Sequence, residues 1–404
     1  MALVPMETAL ERLLEDAGPL GSERVPLALA YDRVLAEPVR ASRSQPPFDA
    51  SAMDGYAARG TDVGTAGAQL AVIGEIAAGS TFSGTVGKGE CVRIFTGAPL
   101  PTGTDTVVIQ ENVKIAAPGV IELLETTVSG RNVRRAGLDF VKGDLLIEQG
   151  RLLGPAALSL AAAANHANLS VVRRPLVAII ATGDELLPPG SDTGPGQIIS
   201  SNPYGIAACA RAAGANILDL GIAPDRKDAT SALVKQAVAA GANVIVTSGG
   251  ASVGDHDLVH EVLTSEGMTL DFWKIAMRPG KPLMFGRMGE VRCLGLPGNP
   301  VASLVCSQLF LKPLLARLGG RPFRQDIRTA ILGAGMGAND HRQDYVRARL
   351  EERDGRLIAT PFDIQDSSML RVMAAAGGLI VRAPFAKALA AGEPCQVLCL
   401  ANEF

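Results

Sequence analysis

Aromatic side chains are scarce, at 4% of the 404 residues, with one tryptophan, Trp273. Few stacking platforms for single-stranded nucleic acid are therefore available. Positive charge is not in excess: 38 Lys and Arg face 41 Asp and Glu, a net charge of −3. No basic field for a polyanion results, and no nucleic-acid partner is expected. The six cysteines (Cys91, Cys209, Cys293, Cys306, Cys395, Cys399) are scattered and form no C-x-x-C pair. In a long chain without a signal-like start, that spacing fits reduced core thiols and a cytoplasmic location. Residues 1–7 carry neither a cationic segment nor a long apolar stretch. No run of about 18 apolar residues occurs, so no membrane span is expected.

What is present is ordinary for a globular chain: 47% hydrophobic and 20% charged residues, enough to bury a sizeable core. Glycine (45) and proline (25) are plentiful, so loops should be many and sharply shaped. The pattern over 6–17 predicts an amphipathic helix closed by Gly18-Pro19. A second helix is expected over 27–37, stopped by Pro38. From 45 to 143, short β-rich runs (69–73, 91–95, 106–109) alternate with glycine turns. Residues 154–165 read as helix again. The flanking helical pieces should join in space, with 45–143 inserted between them.

Residues 173–322 switch to a β-α rhythm. The run 176–181 is apolar without alternation, as a strand buried on both faces should be. Helices over 203–213, 227–240 and 301–318 alternate with strands at 216–221, 243–247, near Trp273 and at 293–296. This is a doubly wound, mostly parallel sheet. After Arg321-Pro322, β-like runs return at 329–332, 344–350, 357–360, 379–382 and 396–400. The fold class expected is thus α/β multidomain. Its parts are a helical linker (1–44 with 144–172), an inserted β domain (45–143), the α/β domain (173–322) and a C-terminal β barrel or sandwich (323–404).

Ligands of open parallel sheets bind beyond the carboxyl ends of the strands, and the unusual residues of this chain sit there. One strand leads into Thr182-Gly183-Asp184-Glu185-Leu186, and another runs towards Asp225. A third leads into Ser248-Gly249-Gly250-Ala251-Ser252-Val253-Gly254-Asp255-His256-Asp257. The last two lead into Arg278-Pro279-Gly280-Lys281-Pro282 and Pro297-Gly298-Asn299-Pro300. Glycines let backbone N–H groups approach an anion, and a following helix N-terminus favours negative charge. Lys274, Arg278 and Lys281 add positive charge. Asp184, Glu185, Asp225, Asp255 and Asp257 supply hard oxygen ligands suited to Mg²⁺. The set points to a magnesium-dependent site for a phosphorylated ligand.

Competing motifs are weaker. Gly250-Ala-Ser252-Val-Gly254 matches the nucleophile elbow, but His341 is the only later histidine clear of the following helix. His256-Asp257-Leu-Val-His260 mimics a zinc-protease helix, yet Asp is shorter than Glu and no third ligand is evident. Gly333-Ala-Gly335-Met-Gly337 lacks the dinucleotide spacing, and no G-x-x-x-x-G-K-[ST] phosphate loop occurs. The loop 46–57, Pro-Pro-Phe-Asp-Ala-Ser-Ala-Met-Asp-Gly-Tyr-Ala, mixes apolar anchors with Asp49, Ser51 and Asp54. By composition it reads as a structural plug rather than a site wall.

Taken in order, that loop, Thr-Gly-Asp-Glu-Leu (182–186), Ser-Gly-Gly-Ala-Ser-Val-Gly-Asp (248–255), Pro-Gly-Lys-Pro (279–282) and Leu-Pro-Gly-Asn-Pro-Val (296–301) resemble the molybdopterin molybdenumtransferase family, the MoeA type related to the gephyrin E domain. The resemblance covers essentially the whole chain. It implies a homodimer of four-domain subunits whose α/β domain binds molybdopterin. The implied reaction takes adenylylated molybdopterin, molybdate and Mg²⁺. It releases AMP as molybdenum enters the dithiolene, downstream of a molybdopterin adenylyltransferase. The family's functional positions fall on Asp54, Thr96, Glu185, Asp225, Asp257 and Lys274, with Arg347 and Ser367 in the C-terminal domain. Glu185, Asp225 and Asp257 are the implied metal set. Ser248, Gly249, Gly250, Ser252, Arg278, Pro279, Lys281, Pro297, Asn299 and Pro300 line the implied substrate site. One departure stands out: the usual lysine before Pro-Gly-Lys-Pro is Arg278 here. Two other readings stay open at this point: a molybdopterin-binding scaffold without catalysis, and a Mg²⁺-dependent hydrolase of another nucleotide phosphoanhydride.

Overall fold

The computed structural model describes residues 3–77, 79–249 and 258–400. The chain forms two compact units, one of residues 1–23, 32–34 and 171–404, the other of 24–31 and 35–170.

In the first unit a six-stranded sheet runs in the order Asn216–Ala223, Leu176–Thr182, Val244–Ser248, Val291–Leu296, Met284–Met288, Thr269–Phe272. The first four are parallel neighbours, and Met284–Met288 is antiparallel to both of its own. That reversal follows from a tight link to Val291–Leu296 through Gly289, at φ +57°. The strands alternate their apolar residues between two cores. Val177, Ile179, Val244, Val246 and Leu294 face one side with the helices Asn202–Ala212 and Pro300–Leu318. Ala178, Ile180, Ile245 and Cys293 face the other with Lys227–Ala239 and Leu258–Ser265. The doubly wound expectation therefore holds.

The helix Pro300–Leu318 is long and apolar enough to cross a membrane by length and composition, but 89% of it is buried inside its own unit. It is a core helix, widened by a π-turn over Ser307–Leu311, where the Ser307 hydroxyl donates to the Ser303 carbonyl (2.9 Å).

The C-terminal strands close into a five-stranded barrel. Gln343–Arg353, Arg356–Pro361, Ile327–Leu332, Pro394–Cys399 and Gly378–Arg382 pair in turn, and the last pairs again with the first. Ala330, Leu332, Val346, Ala348, Ala359, Ile380 and Val397 fill it. Closure leaves these strands no free edge. The short strand Met277–Arg278 adds to its outside, parallel to Gln343–Arg353.

The second unit holds another six-stranded sheet, in the order Thr106–Ile109, Gly55–Ala58, Glu90–Ile94, Gln69–Ile76, Val120–Leu123, Val113–Ala117. Both faces are covered, because neighbours such as Ala57 and Ala58, or Val107 and Val108, feed separate clusters. Gly55 is required: a Cβ there would stand 2.0 Å from the Val108 carbonyl oxygen.

Two sequence expectations need correction. The helix over 27–37 is a single 3-10 turn, Leu27–Leu29. Asp32 takes a left-handed conformation (φ 57°), which no α-helix can continue through, and the chain is extended by Val39–Arg40. Asp32 is held there by Arg321, whose guanidinium donates to both its carboxylate oxygens (2.7 and 3.0 Å). The pieces flanking the insertion join in part: Val39–Arg40 pairs with Leu145–Ile147 and Ala41 packs with Ala164 in the second unit, and only the first helix belongs to the other unit. Met6–Leu14 buries Met6, Ala9 and Leu13 in the first unit's core, whereas Pro155–Ala163 belongs to the second.

The long helix should carry much of the first unit's stability. Phe310 is fully buried within it. Phe310→Ala should cost about 3–5 kcal/mol through lost transfer energy and the cavity left behind, and a urea or thermal melt of the full chain reads that loss.

Candidate functional site

At the carboxyl ends of the parallel strands lies a cavity of about 700 Å³. Thr182 and Ser248 end two of those strands, and the turn Pro297 to Pro300 follows a third. Leu186, Ile198 and Ile199 form an apolar wall. The helices Asn202–Ala212 and Pro300–Leu318 both start at the cavity, each with proline in its first turn where no N–H is wasted. Two positive helix ends thus open on one space, an arrangement that favours an anion.

The polar lining is fixed by its own hydrogen bonds. The Asn202 amide donates to the Ser248 hydroxyl and to the Gly298 carbonyl, both at 2.8 Å. The Asn299 amide donates to the Ser367 hydroxyl (2.8 Å), and the Val301 N–H to the Ser367 carbonyl (3.0 Å), so the barrel side supports this turn. Gly249 sits at φ +92°, where a Cβ would meet the Thr182 carbonyl oxygen at 2.4 Å, so only glycine fits. Thr182 is 2% exposed, and its hydroxyl has no partner among the described residues. Thr182, quoted in the strand-end motif, and Asn202 were not among the expected site residues. Their positions, one at a strand end and one at a helix start, were the available signal.

Of the acidic set, Glu185 lines this cavity. Asp225 does not. It is locked to Asp184 by reciprocal bonds, the Asp225 N–H donating to Asp184 Oδ1 (3.0 Å) and the Asp184 N–H to Asp225 Oδ2 (3.4 Å). Gly250, Ser252, Asp255, His256 and Asp257 lie outside the described residues. His260 stacks on Trp273, with ring centroids 4.8 Å apart. Among the described residues no three His, Cys, Asp or Glu side chains form a metal cage. Mg²⁺ commonly takes only one or two carboxylates and completes its shell with water and ligand phosphates, so a cage of three is not required for it.

A second cavity, about 640 Å³, adjoins the barrel. Arg278, Pro279 and Arg347 line it; Lys274 and Lys281 line neither cavity. Arg278 is not a free cation. Its Nε donates to Asp344 Oδ1 (3.1 Å), one terminal nitrogen donates to Asp344 Oδ2, and further contacts reach Asp340 and Asn339. Arg347 is 1% exposed and donates to Gln365 Oε1 (3.0 Å) and the Asp366 carbonyl (2.6 Å). Arg382, another buried arginine of this wall, ties down the loop carbonyls of Gly337 (3.1 Å) and Lys387 (2.5 Å).

In the second unit the 46–57 loop divides its roles. Asp49 accepts from the Ala136 N–H (2.8 Å) and Arg135 (2.6 Å), which hold its carboxyl below the usual range. Ser51 is fully buried and donates to the Met53 carbonyl (2.5 Å). Asp54 instead reaches the surface, where its Oδ1 accepts from both the N–H and the hydroxyl of Thr96, each at 2.8 Å. Asp54 and Thr96, two positions the resemblance assigns to function, are thus directly bonded.

Fold and cavities together define an α/β protein with a cavity beyond its parallel strands, a closed barrel and a separate β-rich unit. Residues 4–165 match the family described as MoeA N-terminal region (domain I and II), residues 178–317 the probable molybdopterin binding domain, and residues 329–400 the MoeA C-terminal region (domain IV). The chain is 33% identical to the molybdopterin molybdenumtransferase of Bacillus subtilis, over 99% of this chain and 95% of that one. It is 36% identical to that of Haemophilus influenzae, over 85% and 86%. A molybdopterin biosynthesis MoeA protein from Pyrococcus horikoshii superposes with a TM-score of 0.84 at 32% identity, covering 98% of this chain and 99% of that one. The chain belongs to the molybdopterin molybdenumtransferase (MoeA) family, transferases of molybdenum cofactor biosynthesis.

Asp54 gives a local test of this geometry. Its carboxyl is held below the ordinary value first by the Thr96 N–H, then by the Thr96 hydroxyl, with a further contribution from the charge of Arg93. Thr96→Val removes only the hydroxyl. The Asp54 carboxyl should then titrate at higher pH than in the parent but still below an unperturbed aspartate, as followed by carbon NMR of the side-chain carboxyl.

Proposed function

We propose that the chain inserts molybdenum from molybdate into adenylylated molybdopterin and releases AMP, with an adenylyltransferase supplying the substrate. The observation that carries this reading is the 700 Å³ cavity on which two helix N-termini open. Its volume suits a ligand of this size, and its exposed backbone donors suit the anionic groups such a ligand carries. Asn202 and Ser248 offer fixed polar contacts, and Leu186, Ile198 and Ile199 offer an apolar wall for a flat ring system. Glu185 and Asp225 would hold Mg²⁺, whose chemistry is to draw charge from the anhydride oxygens as AMP departs. Lys274 and Lys281, outside the lining of either cavity, would supply positive charge for molybdate, an oxyanion, and Asp54 and Thr96 are further positions that the family resemblance assigns to the reaction. No covalent enzyme intermediate is needed.

The location proposed is the cytoplasm. All six cysteines are free and five are buried; burial pushes the thiols of Cys91 and Cys293 up to about 12, which keeps them protonated and inert. A homodimer is proposed as well. Large apolar side chains stand exposed on the second unit, among them Ile115 (79%), Val128 (72%) and Leu138 (66%), and a second copy would cover such surface. Sedimentation should show a dimer at micromolar concentration; a stable active monomer would contradict it.

The enzymatic test is AMP release from adenylylated molybdopterin against molybdate concentration. The parent should require both molybdate and Mg²⁺. Lys274→Ala should need roughly tenfold to a hundredfold more molybdate, the equivalent of one lost charge-assisted contact. Asp54→Ala should turn over slowly at every molybdate concentration while still binding the pterin. AMP release that proceeds equally well without molybdate would instead favour the phosphoanhydride hydrolase.

A further inference from the structure

On the second unit's sheet, Tyr56 and Arg93 are direct cross-strand partners, and Phe95 lies two residues beyond Arg93. The Arg93 guanidinium carbon sits 4.9 Å from the Tyr56 ring centroid and 5.3 Å from that of Phe95. One terminal nitrogen donates to Gln110 Oε1 (2.5 Å). No carboxylate among the described residues forms an ion pair with Arg93. Yet Asp54 lies two residues before Tyr56, close enough for the charge of Arg93 to bear on it. The Asp54 carboxylate turns to Thr96 instead.

This is an unusual use of opposite charges. Here two rings fix the guanidinium plane, Gln110 takes one donor, and Thr96 holds the aspartate away. Among the described residues the guanidinium keeps N–H groups without a protein acceptor, in a fork suited to a tetrahedral oxyanion. Thr96 and Gly97, the latter at φ +84°, follow directly, so the turn bends beside the fork.

We propose that Arg93, held by Tyr56 and Phe95, binds a phosphoryl oxyanion, that of a nucleotide monophosphate group. The identity of the nucleotide rests on the proposed function, in which the ligand carries an AMP group. A tetrahedral oxyanion could also be molybdate, so the test separates the two sources.

Isothermal titration of the full chain with AMP, adenosine and molybdate, each alone, reads the assignment. The parent should bind AMP, and Arg93→Ala should weaken that binding by about tenfold to a hundredfold. Adenosine and molybdate binding should not change. Arg93→Lys keeps charge and stem but loses the fork, and should fall between the two. Tyr56→Leu, which frees the guanidinium without removing it, should also weaken AMP binding. Equal AMP affinity in the parent and Arg93→Ala overturns the proposal, as does no AMP binding by the parent. A loss confined to molybdate overturns the nucleotide assignment. If AMP binding depends on Arg93 while the parent shows no molybdate-dependent turnover, the functional reading fails and this site stands.

Discussion

The constraint on which the first unit depends is burial of a parallel sheet on both faces. Residues 177–181 are at most 1% exposed and alternate between two apolar cores. A strand so placed favours apolar side chains along its length, because a buried polar group without a partner is costly. Polar chemistry is therefore expelled to the strand ends. Because five of the six strands point the same way, their carboxyl ends share one edge. Thr182, Ser248 and the turn after Leu296 meet at the cavity for that reason. The close approach of Gly249 to the Thr182 carbonyl is the local expression of the same packing.

Much of this was legible in the sequence because buried parallel strands leave a strong pattern. The unbroken apolar run at Leu176–Thr182 and the β run Thr106–Ile109 stand where the sequence placed them. Barrel closure was less legible. Alternation at Gln343–Arg353 shows a half-buried strand, but its second pairing, with Gly378–Arg382, depends on curvature that no local pattern encodes. The helix expected over 27–37 failed on a tertiary interaction: Arg321, nearly three hundred residues away, stabilises the left-handed turn at Asp32. Local propensity over that stretch carries no trace of its distant partner.

Legibility of the site follows the same division. Residue types at strand ends pointed to an anion site, and two helix starts and Gly249 stand at the cavity found there. Individual carboxylates were harder to sort. Asp49 and Asp54 stand five residues apart in one loop, yet one is tied to Arg135 and the Ala136 N–H and the other to Thr96 at the surface. What separates them is the partner each meets across the fold, invisible in spacing. The Asp184–Asp225 lock is a similar case, since two acids at different strand ends satisfy each other's backbone before any ligand arrives.

Arg278 shows how a charge-conserving change can alter a site without altering its charge. The strand Met277–Arg278 sets Arg278 opposite Asp344 in register. A guanidinium there meets the carboxylate with two donors at once, a geometry an ammonium on a flexible stem does not share. The pair raises the arginine pKa further, mainly through the Asp344 hydrogen bonds. Since the Arg278 side chain is 46% exposed, such a pair is worth roughly 0.2–1 kcal/mol, too little to define the fold. Its consequence is directional. The fork faces Asp344, Asp340 and Asn339, so the positive charge of this turn is already matched before an oxyanion approaches. A lysine would have left that charge mobile. In this chain the other positive charges near the turn are Lys281, which is exposed, and Lys274, half-buried on the preceding segment.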